Sequence, residues 1–383
     1  MLNIFQIQKT FHITPLVSNF LHLSRWLAAL VVVLSHVRAV SFPSFEKLGA
    51  SGLIWKIFYF VTSLGHEAVM IFFVLSGYLI GGEILRGLHG GNFRWAKYLT
   101  KRIVRLYIVL IPALLLTSLW DHVGYWHFND LGSYDRFWED GKESLKTFFL
   151  NVLMLQHSYG PLFGSNDPLW SLAYEFWYYL MFPLAVQVFF LKNRLLKVLS
   201  LGSFAAIAIF LNPKISLYFT VWLLGVVIWH IKSERLSDVR YIGWGLTAVF
   251  VSAVTFSRYK EGFGSDLLLG LVFSVIILYF MTEPKLHKKI VEIINWRYHK
   301  FLADFSYSLY LLHFPLMLLL ANIVFINLSD FREVGGFRNI LFFAGLIFVL
   351  YFYSFVVYWF TERRTKEMTQ ELLKRLALLP SFR

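Results

Sequence analysis

RWLAALVVVLSH occupies residues 25–36, and its reading decides the fold. Between Arg25 and His36 the residues are almost all apolar, and the apolar run continues to about residue 42. Such a stretch is long enough to cross a hydrocarbon core of about 30 Å. A plain anchor gains nothing from an imidazole near its far end. The two polar residues are 11 positions apart, almost three helical turns, so they share one face about 16 Å apart along the axis. Arg25 falls at a boundary where its aliphatic stem can snorkel. His36 falls past the midplane, where imidazole is the usual group for moving protons near neutral pH.

Outward from this stretch the same pattern repeats. Ten apolar blocks are expected to be spans, at about 20–42, 64–82, 103–120, 170–191, 195–211, 215–231, 241–257, 267–282, 304–328 and 339–360. Charged residues make up 15% of the 383, against roughly a quarter in soluble domains. Aromatics reach 19%, which suits interfacial belts and packed bundles. The expected fold is an all-α polytopic membrane protein, a single domain over 1–383 with a short basic tail at 361–383. Residues 1–19 lack the pattern of a cleavable signal peptide. With no cysteine, disulfides, thiolate metal sites and cysteine nucleophiles are excluded.

The net charge of +13 reflects topology rather than nucleic-acid binding. With both termini cytoplasmic, 25 of the 36 Lys and Arg, but only 9 of the 23 acids, fall on the inner side. That asymmetry is the positive-inside rule, and the opposite orientation would violate it at nearly every loop. Short connections such as 212–214 and 232–240 join antiparallel neighbours. The long outer connection, 121–169, is acidic, and its apolar part 145–156 is too short to span, so an interfacial or re-entrant helix is expected there.

Ionisable residues within spans are costly and so mark function. Arg102 and Arg105, at i and i+3, share a face at the cytoplasmic end of the third span. With Arg25 at the same depth, the three are expected to gather at one mouth, where guanidinium forks suit phosphate. In the second span His66 and Glu67 enter from the outer side, while Ser76-Gly77 permits close helix approach. Glu175 lies a turn inside the outer end of the fourth span, with Ser171 at i−4 and Tyr178 and Tyr179 beyond it. It fits either a structural ion pair or a catalytic, acceptor-orienting carboxylate. Ser306, Tyr310 and His313 form a polar stripe on the ninth span, ahead of Pro315. Together these describe a path: an anion grip inside, histidines at mid-membrane, a carboxylate near the outer opening.

These motifs resemble the acyltransferase-3 family of integral membrane acyltransferases. Arg25-x10-His36, FFVLSGYLI (72–80), Arg102-x-x-Arg105, WSLAYEFWYYLMFP (170–183), SYSLYLLHFP (306–315) and YWFTERRTK (358–366) follow in that family's order. The resemblance covers about 20–366. It implies a multi-pass protein of the bacterial cytoplasmic (inner) membrane that moves acetyl, or another short acyl group, from cytoplasmic acyl-CoA to a hydroxyl of a carbohydrate or glycolipid acceptor. It implies acetyl-CoA or another acyl-CoA as donor, membrane lipids as surroundings, and neither metal nor nucleic acid. His36 would be the essential histidine, acting as general base or transient acyl acceptor. Arg25, Arg102 and Arg105 would hold the donor. Glu175 would orient the acceptor or raise His36's basicity, and Tyr310 and His313 would polarise the acyl carbonyl. Where many relatives carry an acid before the aromatic pair of the second span, this chain has Met70. The competing class is a transporter or flippase, which usually shows internal repeats and matched broken helices; neither is visible in the sequence.

Overall fold

The computed structural model describes residues 14–48, 52–129, 132–231, 240–282, 286–327 and 336–378. Most of the expected loop 232–240, the first 13 residues and the end of the tail lie outside the described residues. Within them the chain is helical, with one isolated bridge between Gln156 and Gly160. The long helices are α1 (Pro15–Ser41), α2 (Gly65–His89), α3 (Trp95–His127), α4 (Leu169–Val186), α5 (Arg194–Phe210), α6 (Pro213–His230), α7 (Arg240–Tyr259), α8 (Phe263–Met281), α9 (Ser306–Asn327) and α10 (Phe337–Phe360). Each expected span falls on one of them.

Seven helices, α1, α2, α3, α6, α8, α9 and α10, are long and apolar enough to cross a membrane. The chain is a multi-pass membrane protein. The other three fall short for readable reasons. α5 has 17 residues, α4 carries Glu175 among its Trp and Tyr residues, and α7 is bounded by Arg240 and Arg258. The boundaries of α3 and α2 shift most. α3 begins at Trp95 and runs 33 residues, so Arg102 and Arg105 lie two to three turns inside it. α2 continues to His89 through a π-helical turn at Gly77–Gly81. Hydropathy marks the bilayer, whereas backbone hydrogen bonding continues into water. The stretch 145–156 forms a helix only over Leu145–Val152.

The chain folds as two compact units. The first comprises residues 1–28, 67–94 and 177–303. Its core is the contact of α2 with α6, where a Cβ on Gly77 would overlap the Trp222 carbonyl and one on Gly225 would overlap that of Val74. Small residues let helix backbones meet in this way, as the Ser76-Gly77 pair suggested. The Trp222 indole is fully buried and donates to Ser76 Oγ at 3.1 Å.

The second unit comprises 29–66, 95–176 and 304–383. α9 is tied to α3 by Tyr307, whose hydroxyl donates to Leu106 O at 3.0 Å. Phe305 packs edge-on to Tyr351 and Phe355 of α10. Asn339 at the start of α10 donates to Ser41 O at the end of α1, at 2.7 Å. The long connection between α3 and α4 is held by buried amides. Asn151 donates to Pro161 O at 3.0 Å and accepts from Phe163 N at 3.2 Å, and Gln156 donates to Leu169 O at 3.0 Å.

Candidate active site

α1 carries Arg25 and His36 on one unbroken helix, as their spacing requires. His36 lies in the second unit, and so does His313 on α9. Their rings are nearly parallel, 12° apart, and His36 Nδ1 lies 2.8 Å from His313 Nε2. The sequence put a histidine on each of two spans; the fold makes them a pair.

The carbonyl of Leu309 decides the proton positions. It lies 3.0 Å from His313 Nδ1, and a carbonyl only accepts, so Nδ1 carries the hydrogen. In a neutral His313 ring Nε2 is then the acceptor. His36 must therefore donate from Nδ1, which leaves Nε2 as its basic nitrogen. His313 is fully buried, whereas His36 retains some exposed surface. Phe314 stands edge-on to His36 at 5.0 Å. The arrangement presents one oriented basic nitrogen and hides the ring that orients it.

Tyr310, one turn before His313, is buried, and its hydroxyl is hydrogen-bonded to Ser171 of α4 at 2.7 Å. Ser171 also bonds Pro168 O at 3.4 Å. Glu175, half-buried one turn further along α4, is close enough to Tyr307 and Tyr310 for its charge to act on both. The carboxylate whose charge acts on His36 is that of Asp167, exposed on the turn before α4. The sequence reading gave Asp167 no role of its own.

Arg102 and Arg105 share a face of α3. The Arg105 guanidinium is paired with Glu362 at 2.5 Å and lies over the Tyr307 ring at 5.5 Å. Glu362, just past α10, also accepts from Ser308 N at 3.1 Å and Ser308 Oγ at 2.6 Å. Arg105 thus already holds a carboxylate, while Arg102 lies beside the Tyr98 ring. Arg25 belongs to the first unit, where its neighbour Trp26 donates to His299 Nδ1 at 3.0 Å. Glu67 is buried; His66 stacks on Trp170. Sequence reasoning missed Asp167 and Glu362, which sit at helix ends where no periodicity singles out a residue. Among the described residues no group of three His, Asp or Glu side chains is placed to hold a metal ion.

Long apolar helices, two of them joined by a histidine pair, define a multi-pass membrane protein. The family profile described as an acyltransferase domain matches residues 18–359, and the chain belongs to this family, acyltransferase-3. It is 22% identical over 326 residues to an O-acetyl transferase of Shigella phage Sf6, covering 80% of this chain and 86% of that one. It is 30% identical over 170 residues to the acyltransferase MdmB of Streptomyces mycarofaciens, covering 42% of this chain and 37% of that one. An uncharacterized protein of Haemophilus influenzae is 34% identical over 132 residues, covering 34% of this chain and 52% of that one. The chain thus spans about half or less of the length of two of these relatives. No solved structure matches.

Proposed function

We propose that this acyltransferase moves an acetyl or other short acyl group from cytoplasmic acyl-CoA to a hydroxyl of a carbohydrate acceptor, a surface polysaccharide or lipid-linked glycan. The observation that carries the reading is the His36–His313 pair, with one basic nitrogen left open. His36 Nε2 takes the proton of the acceptor hydroxyl as its oxygen attacks the thioester carbonyl. The C–S bond then breaks, and the proton leaves with the CoA thiolate. His313 holds the His36 ring and accepts from Nδ1 throughout. Tyr310 polarises the acyl carbonyl, and Glu175 orients the acceptor. Arg25 and Arg102 take the phosphates of the donor, with Arg105 contributing the charge that Glu362 leaves. All ten long helices span the bacterial inner membrane, both termini are cytoplasmic, and no metal takes part. The whole chain works as one acyltransferase domain.

The relative named an O-acetyl transferase, which matches most of both chains, supports the choice of acetyl and of oxygen as acceptor atom. The test is transfer from labelled acetyl-CoA into the polysaccharide fraction of membranes, for wild type and His36→Ala at matched expression. Label in wild type and none in the variant is expected. Equal label in both would remove His36 from the chemistry.

A further inference from the structure

α9 contains Pro315. Proline has no amide hydrogen, so the carbonyl four residues back receives no helical hydrogen bond from it. That carbonyl belongs to Leu311, two residues before His313 and fully buried. A bare carbonyl within a bilayer is costly, and neighbouring side chains commonly re-satisfy the groups that a proline frees. Here the partner is Asn166, whose Nδ2 donates to Leu311 O at 2.9 Å.

The other amide hydrogen of Asn166 is equally determined, while its Oδ1 is buried without a hydrogen-bond partner among the described residues. Its second Nδ2 hydrogen goes to Thr117 Oγ1 at 2.9 Å. Thr117 spends its own hydroxyl proton on Ala113 O at 2.7 Å, so it receives rather than gives. Turning the amide over would aim an oxygen at two acceptors. Asn166 is fully buried, and its neighbour is clamped as well: Ser165 donates from N at 2.7 Å and from Oγ at 2.6 Å to the Asp121 carboxylate. The turn before α4 is thereby fastened to α3 on one side and to the proline-interrupted turn of α9 on the other.

We propose that Asn166 is a positioning residue for the histidine pair. By supplying the hydrogen that Pro315 withholds, it sets the course of α9 where His313 meets His36. The pair depends on that course, because a displacement of about 1 Å at a reacting group can lower a rate about 100-fold. The catalytic consequence rests on the acyltransferase reading above; the structural claim does not.

The experiment is a double-mutant cycle on the full chain in lipid nanodiscs. Pro315→Ala restores an amide hydrogen within the helix and so makes the Asn166 donor redundant. Nitrogen-15 spectra of histidine-labelled protein, with His36→Gln for assignment, report the hydrogen bond of the pair and need no substrate. Asn166→Leu is expected to abolish the paired signal, and the added Pro315→Ala to restore it. In the acetyl-CoA assay Asn166→Leu is expected to lower kcat about 100-fold with KM for the donor nearly unchanged. The double variant is expected to regain at least tenfold of that loss. If Asn166→Leu does not accumulate, Asn166→Ala, which is smaller and has no side-chain donor, is read instead. A paired signal that survives Asn166→Leu overturns the proposal, as does a lost signal that Pro315→Ala does not restore. Loss and recovery of the signal without any acyl transfer would leave the positioning role standing and sink the proposed function.

Discussion

His36 Nδ1 and His313 Nε2 meet at 2.8 Å across 277 residues of chain, and only the His36 ring keeps exposed surface. The two rings therefore differ in consequence when removed. His36→Ala is expected to lower acyl transfer about 100- to 10,000-fold, the range for a lost general base. His313→Ala leaves the base in place but frees its ring to turn, and a smaller loss, about 10- to 100-fold, is expected. Transfer of labelled acetyl at matched expression reads both. Wild-type activity in His313→Ala would reduce the pair to a packing contact.

The two arginines of α3 should separate by measurement. Arg102→Ala and Arg105→Ala are both expected to raise KM for the acyl donor, and only the Arg105 variant also breaks the pair with Glu362. Glu362→Ala removes the carboxylate that pairs with Arg105 and accepts from two Ser308 groups. Arg105 keeps a side-chain exposure of 30%, which softens the loss to about 2–3 kcal/mol rather than the 3–5 of a fully buried pair. Glu362→Gln retains an acceptor for Ser308 and should cost about half as much. Denaturant midpoints in detergent check the order.

The connection between α3 and α4 should weaken with rising pH. Burial, with Asp121 against it, pushes the Glu143 carboxyl up from 4.5 to about 9. Ser118 and His122 also face it. The folded protein then holds a proton that the unfolded chain releases above about 4.5. The stability this contributes is full below that value and falls as pH rises toward about 9. Melting curves between pH 6 and pH 10 should show that fall in wild type and a flatter profile in Glu143→Gln. Identical slopes would mean that the carboxyl is ionised at neutral pH.

Acceptor preference is expected to follow the acidic connection 121–169, because loops carry such variation. Exchange of residues 122–160 with those of a relative, which leaves Asp121, Ser165 and Asn166 in place, should change which acceptor receives label and leave use of the donor intact. An unchanged acceptor would place selection elsewhere.

Much of this was legible beforehand, for physical reasons that also set the limits. Apolar blocks must become helices in a bilayer, because no water is there to take the backbone hydrogen bonds; every expected span accordingly falls on a helix. The stripe Ser306, Tyr310, His313 follows from helical period alone. That His313 would face His36 does not, since period assigns a face but names no neighbour. Asn166 was invisible for a different reason. Its importance lies in a vacancy created by Pro315, 149 positions later in the chain, and only the fold brings donor and vacancy together. The ends of α3 were misjudged because hydropathy reports solvent rather than hydrogen bonding.

The meeting of Gly77 with Trp222, and of Gly225 with Val74, brings peptide against peptide with no side chain between. A joint of that kind has no rotamers to rearrange and no slack in which one helix slides along the other. Any breathing that admits a donor or releases a product must bypass it, so α2 and α6 serve the first unit as a fixed axle. Either glycine replaced by alanine should be felt as misassembly of that unit rather than as a slower reaction.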